Sequence, residues 1–190
     1  MEDKRNSSGL TIPRHLYLDD TPYFITASTY QHQKLLNDEI KWVLQELLHD
    51  VFDEYGWRLN HWVILDNHYH LLVQSQKGKD LKKIIGKIHN LSAQQINRIF
   101  PLEKRIHQKI WYNYWDYCPR DEHDYNIRLC YLLNNPVKHG YVDNLHDWAW
   151  SSFHHLFQER EKTKIREMFL EHREHHDLVL AEDDIQDSDS

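Results

Sequence analysis

The sequence predicts an α+β domain: a ferredoxin-like antiparallel sheet in the order β-α-β-β-α-β-α, with helices packed on one face. Three observations carry that prediction. Segments rich in aromatic and β-branched residues alternate with segments whose apolar residues recur at helical spacing. Two of the extended segments are separated only by Asp66-Asn67, which makes a hairpin. The chain has 190 residues and no internal repeat, enough for one core without staples.

TPYFITASTY, residues 21–30, reads as the first strand. Asn37 can cap the first helix, with Asp38 and Glu39 in a first turn where the macrodipole favours anions. Ile40, Val43, Leu44, Leu47, Leu48, Val51 and Phe52 form its apolar face, and Gly56 ends it. WRLNHWVIL (57–65) and HYHLLVQ (68–74) are the arms of the hairpin, Asp66 and Asn67 both tolerating positive φ in its turn. Asp80 is expected to cap a second helix whose apolar face is Leu81, Ile84, Ile85, Ile88, Leu91, Ile99 and Phe100, and Pro101 to stop it. WYNYWDYC (111–118) is the fourth strand. Asp121 opens a third helix expected to end at Pro136, and a short amphipathic segment covers about residues 159–173.

Composition bounds the function. No run of 18 apolar residues exists, so no membrane span is expected, and the polar MEDKRNSSGL shows no secretory signal. Cys118 and Cys130 have neither zinc-knuckle nor redox-pair spacing, which suits free thiols in a cytoplasmic protein. No phosphate-binding loop of the Gly-x4-Gly-Lys type is present. The formal charge of −7 argues against indiscriminate nucleic-acid binding, but the charge is uneven. The last ten residues hold five acids and no base, while residues 77–110 hold nine Lys/Arg against two acids, a net of +7. Such asymmetry suits either a solvated helix face or a polyanion partner.

DNHYHLLVQ, residues 66–74, raises the functional question. In a strand, residues two apart share a face, so His68, His70 and Leu72 point one way and Tyr69, Leu71 and Val73 the other. With helices over the Tyr69 face, the histidines would stand on the open side. Two neutral imidazoles there can converge on a metal ion, or be structural. In YLLNNPVKHGYV, residues 131–142, Tyr131 and Asn135 share a helix face. That pair is either packing and capping, or a nucleophile and a third ligand beside a metal.

DNHYHLLVQ, followed about 60 residues later by YLLNNPVKHGYV and then WAWSS, resembles the single-tyrosine HUH transposases, in particular the REP-associated tyrosine transposases. The resemblance covers roughly residues 15–157, leaving 1–14 as a flexible N-terminus and 158–190 as a C-terminal helical extension with an acidic tail. It implies that His68 and His70 lie on a central strand, that Tyr131 is the nucleophile and that Asn135 is the third metal ligand. Two positions depart from the family: Asp66 stands where Pro is frequent, and His139 where a small residue is frequent.

The resemblance implies a transposase that cleaves single-stranded DNA at hairpins of palindromic repeats and rejoins it through a 5′-phosphotyrosine. Mg2+ or Mn2+ would serve as cofactor, Mn2+ tolerating mixed nitrogen and oxygen ligands better. Lys82, Lys83, Lys87, Arg98, Lys104, Arg105 and Lys138 are candidates for DNA-backbone contacts. Trp62, Tyr69, Tyr112, Tyr114 and Trp115 are candidates for base stacking or for the core. The protein would act as a monomer or a homodimer. Two other readings stand beside this one: a catalytically silent hairpin-binding regulator with the same fold, and a structural protein whose histidines hold zinc.

Overall fold

Four strands, β1 (Pro22–Thr29), β2 (Arg58–Ile64), β3 (His68–Gln74) and β4 (Trp111–Tyr117), pair antiparallel in the order β2-β3-β1-β4. This is the ferredoxin-like order, and it puts β3 between two neighbours, as expected. The computed structural model describes residues 17–100, 103, 109–159 and 162–178. The N-terminus, Pro101 and the acidic tail lie outside the described residues.

α1 (Asp38–Glu54) begins where the sequence predicts: Asn37 Oδ1 accepts a hydrogen bond from the Ile40 amide at 3.0 Å. It closes at Gly56, whose φ of +69° only glycine adopts freely. α2 (Leu81–Ile99) begins differently from expectation. Asp80 has helical φ and ψ, and its carboxylate pairs with Lys83 at 2.9 Å instead of capping. A single 3-10 turn over Gly78–Asp80 leads into the helix, and the Gly78 amide donates to Asp19 Oδ1 at 2.8 Å. Gly78 is required there, because a Cβ would stand 2.4 Å from the Leu18 backbone nitrogen.

α1 and α2 cover one face of the sheet, burying Tyr23, Ile25, Ala27, Trp62, Ile64, Tyr69, Leu71 and Val73. Trp62 and Tyr69 are therefore core residues, not base-stacking ones. The expectation of helices on one face needs correction. α3 (Glu122–Lys138) lies on the opposite face, over Phe24, Val63, Leu65 and Leu72. α4 (Phe153–Glu159) and α5 (Lys162–Glu171) cover α3 in turn through Phe153, Leu156, Ile165 and Met168. The physical reason is in α3 itself. Leu129-Cys130-Tyr131-Leu132-Leu133 is buried all round, and a helix with no polar side needs cover from both directions. The boundary expected after residue 157 falls inside α4, and α5 packs against α3. Cys118 and Cys130 are free thiols.

Two local features also differ from expectation. α3 does not end at Pro136 but runs on to Lys138, closing at Gly140 with φ of +68°. Proline here removes only its own N–H from the ladder, and the His139 amide still reaches the Asn135 carbonyl at 3.0 Å. In the hairpin turn, neither Asp66 nor Asn67 has positive φ. Their carbonyls are instead held from outside, by the Leu36 amide at 2.9 Å and the Thr29 amide at 2.8 Å. Among the described residues, no helix is long and apolar enough to cross a membrane.

Candidate active site

His68 and His70 sit on the α3 side of β3, opposite Ser28 and Thr26 of β1 in the strand register. They are not on an open face. His70 is fully buried and His68 is 8% exposed, because α3 lies across them. Their rings stand 5.0 Å apart, centre to centre, at 73°.

Each histidine is held through Nδ1 and presents Nε2 toward α3. His70 Nδ1 lies 2.7 Å from Thr26 Oγ1, and His68 Nδ1 lies 2.7 Å from Asn67 Oδ1. The Asn67 carboxamide oxygen has no hydrogen to give, so His68 Nδ1 must be the donor. His68 Nε2 then carries a lone pair, and it meets Asn135 Oδ1 at 3.0 Å. Two lone pairs at that distance repel. Either the amide turns so that Nδ2 donates, or His68 carries a second proton and donates from Nε2, or both atoms hold a cation. His70 Nε2 is buried without a hydrogen-bond partner, as is Asn135 Nδ2. Burial, reinforced by His68, His139 and Lys138, holds the His70 imidazole well below its ordinary pKa, so it is neutral and able to ligate.

These donors fit a divalent cation. His68 Nε2 and Asn135 Oδ1 face one another with the His70 ring alongside, its centre 5.0 Å from that of His68, and both Nδ1 atoms are engaged by outer partners of the kind that ligating histidines need. Among the described residues no group of three His, Cys, Asp or Glu side chains that could hold a metal occurs, and the Asn135 amide is the donor that stands beside the two imidazoles.

Tyr131 lies one helical turn before Asn135, its ring 5.4 Å from that of His70 and 6.2 Å from that of Phe24. It is 1% exposed. Lys138, two turns along the same helix, donates from Nζ to the Tyr131 hydroxyl at 3.3 Å and sits 4.6 Å from its ring centre. His139 stacks edge-on against His68 at 5.2 Å. The Asp66 carboxylate is met by the buried Lys41 ammonium at 2.7 Å, so its charge is compensated at α1.

The structure thus brings together His68, His70, Tyr131, Asn135 and Lys138. It does not bring the other predicted cations to them. Lys82, Lys83, Lys87 and Arg98 are on α2, behind the sheet. Lys83 pairs with Asp80 at 2.9 Å, Lys87 with Glu54 at 2.5 Å, and Arg98 bonds Gln95 at 3.3 Å. Lys104 and Arg105 lie outside the described residues. Tyr112 and Trp115 on β4 are half-buried, and Trp115 stands opposite Thr26 in the register. Tyr114 packs against the α1–α2 core.

Sequence reading missed Thr26 and Asn67. Thr26 could be found only once the pairing of β1 with β3 was known. Asn67 directly precedes the first histidine, and its position alone could have drawn notice. The relation of Tyr131 to Lys138 was hidden because the helix was expected to end at Pro136, whereas it runs on to Lys138.

A model of the family described as transposase IS200 like matches residues 19–133. A protein of Haemophilus influenzae, provisionally named a REP-associated tyrosine transposase, is 32% identical over 148 residues, covering 69% of this chain and 82% of that protein. A REP-associated tyrosine transposase of Escherichia coli K12 is 26% identical over 144 residues, covering 74% of this chain and 81% of the relative. A solved structure of a REP-associated tyrosine transposase bound to a REP hairpin has the same fold, with a TM-score of 0.63 and 26% identity over 77% of this chain and 84% of that one.

Proposed function

The chain belongs to the family of IS200-like transposases, enzymes that act on DNA, and on that premise we propose that it is a metal-dependent single-stranded DNA endonuclease and strand transferase. The observation that carries the proposal is the meeting of His68 Nε2, Asn135 Oδ1 and the unpartnered His70 Nε2 beside the Tyr131 ring. The substrate is a DNA hairpin with single-stranded flanks, by likeness to the solved relative bound to a REP hairpin.

Tyr131 Oη attacks a backbone phosphorus. The Oη–P bond forms, the P–O3′ bond breaks, and the products are a 5′-phosphotyrosine and a free 3′-hydroxyl. The proton lost from Oη appears, through solvent, on the released 3′-oxygen. A divalent ion held by His68, His70 and Asn135, Mg2+ or Mn2+, would polarise the scissile phosphate when bound. Thr26 and Asn67 keep the two imidazoles turned with Nε2 inward. Attack by another 3′-hydroxyl reverses the step and rejoins the strand. The link conserves the phosphodiester, so no nucleotide is consumed.

Incubation with Mn2+ and labelled single-stranded hairpin oligonucleotides, followed by a denaturing gel, tests this. A slower band that survives denaturant and is absent with Tyr131→Phe is expected. Adduct at the wild-type level from Tyr131→Phe would overturn the assignment. Native-gel shifts without any adduct would leave a hairpin-binding regulator.

A further inference from the structure

We propose that Lys138 is a catalytic residue whose ammonium holds the Tyr131 oxygen, stabilising the charge on that oxygen as its bond to phosphorus forms and breaks. The inference rests on the reading of Tyr131 as nucleophile and adds a role to a residue that charge alone would assign to the DNA backbone.

The geometry separates Lys138 from the other lysines. Lys83 and Lys87 are spent on carboxylates, Asp80 and Glu54. Lys109 lies over the Tyr30 and Tyr112 rings, at 5.2 and 5.0 Å from their centres. Lys41 is buried against Asp66 and Asp38. Lys138 instead directs Nζ at the oxygen of Tyr131, 3.3 Å away, from two turns along one rigid helix. Its distance of 4.6 Å from the ring centre adds the attraction of a cation for the aromatic face. The two residues are therefore carried together on one helix.

Such a cation acts in both directions of the reaction. In cleavage, Oη bears partial negative charge on the way to the O–P bond, and a fixed ammonium lowers the energy of that arrangement. In rejoining, the Tyr131–phosphorus bond breaks as an incoming 3′-oxygen attacks, and the same ammonium receives the departing phenolate oxygen. Lys138 keeps its own proton throughout. The proton of Tyr131 leaves to solvent in cleavage and returns from it in rejoining. Because Tyr131 is nearly covered while Lys138 is on the surface, the side chain can swing aside to admit a phosphate and stay within reach of Oη.

The test compares wild type, Tyr131→Phe, Lys138→Met and Lys138→Arg, with Mn2+ and a pool of hairpin oligonucleotides carrying randomised flanks. It reads the rate of adduct formation at saturating DNA and, separately, the Kd by fluorescence anisotropy. Lys138→Met is expected to lower the rate about 100-fold with Kd changed less than about threefold, and Lys138→Arg to recover all but about tenfold. A normal rate at saturating DNA with a raised Kd would make Lys138 a backbone clamp and overturn the proposal. A rate equal to or above wild type would make it a mere cover and overturn it equally. If either result comes with Tyr131→Phe inactive, only this inference falls. If Tyr131→Phe still forms adduct, or wild type forms none, the reading of the site falls and takes the inference with it.

Discussion

Thr26 Oγ1 lies 2.7 Å from His70 Nδ1 in a buried setting, and that bond decides which nitrogen of His70 is left for a ligand. Thr26→Val keeps the shape of the side chain and removes the partner, leaving the buried His70 Nδ1 unsatisfied. Outer partners of this kind are worth roughly 10- to 100-fold in metal affinity. Thr26→Val is therefore expected to weaken Mn2+ binding by that factor, read by electron paramagnetic resonance titration of free Mn2+. Unchanged affinity would mean that the strand, not the threonine, orients the ring. His139 stands against His68 at 5.2 Å, so this chain places a third imidazole beside its site.

At the scale of elements, the two faces of the sheet do different work. Behind it, α2 and β4 are joined by a stack: His89 lies flat on Trp111 with centres 4.4 Å apart and planes 4° apart, and the Tyr69 hydroxyl is hydrogen-bonded to His89 Nε2 at 2.9 Å. Burial pulls the His89 imidazole down to about 3. The unfolded chain takes up this proton near pH 6.5, so between about 3 and 6.5 the unfolded state binds more protons. Stability is thus full above that window and falls as pH falls through it. Acidification from pH 7 to pH 5 is expected to cost on the order of 1–2 kcal/mol through this residue. His70 adds in the same direction. Urea denaturation at the two pH values checks it: His89→Gln should flatten the slope, and an undiminished slope would remove His89 as its source. The first helix offers a simpler case. Asn37→Ala removes the bond to the Ile40 amide and should cost about 1 kcal/mol in the same experiment.

For the molecule as a whole, α3 is the wall between the sheet and the C-terminal helices. Met168 and Ile165 of α5 close the second core over it. Met168→Ala is expected to destabilise the domain by about 2–4 kcal/mol while unfolding remains a single transition. Two separate transitions would show that α5 belongs to an independent unit. Charge is partitioned by the sheet. Lys83 and Lys87 are behind the sheet and the candidate site is in front of it, so Lys83→Glu with Lys87→Glu should leave the adduct rate at saturating DNA unchanged. Any effect should be on hairpin affinity at low salt. A loss of rate at saturation would mean that DNA reaches the site from behind.

The sequence by itself determined the strand and helix order, the start of α1 at Asn37 and of α3 at Asp121, and the pairing of His68 with His70 and of Tyr131 with Asn135 on shared faces. All of these are local periodicities and caps, legible in a few consecutive residues. It did not determine which face α3 takes, how far that helix runs past Pro136, or that Thr26 reaches His70 across 44 positions of chain. Nor did it separate Lys138 from the lysines of α2. Those relations arise when segments distant in the chain are brought together, and they are decided by burial. An all-apolar turn of helix needs cover on both sides, so α3 lies across the histidines and carries Tyr131, Asn135 and Lys138 to them.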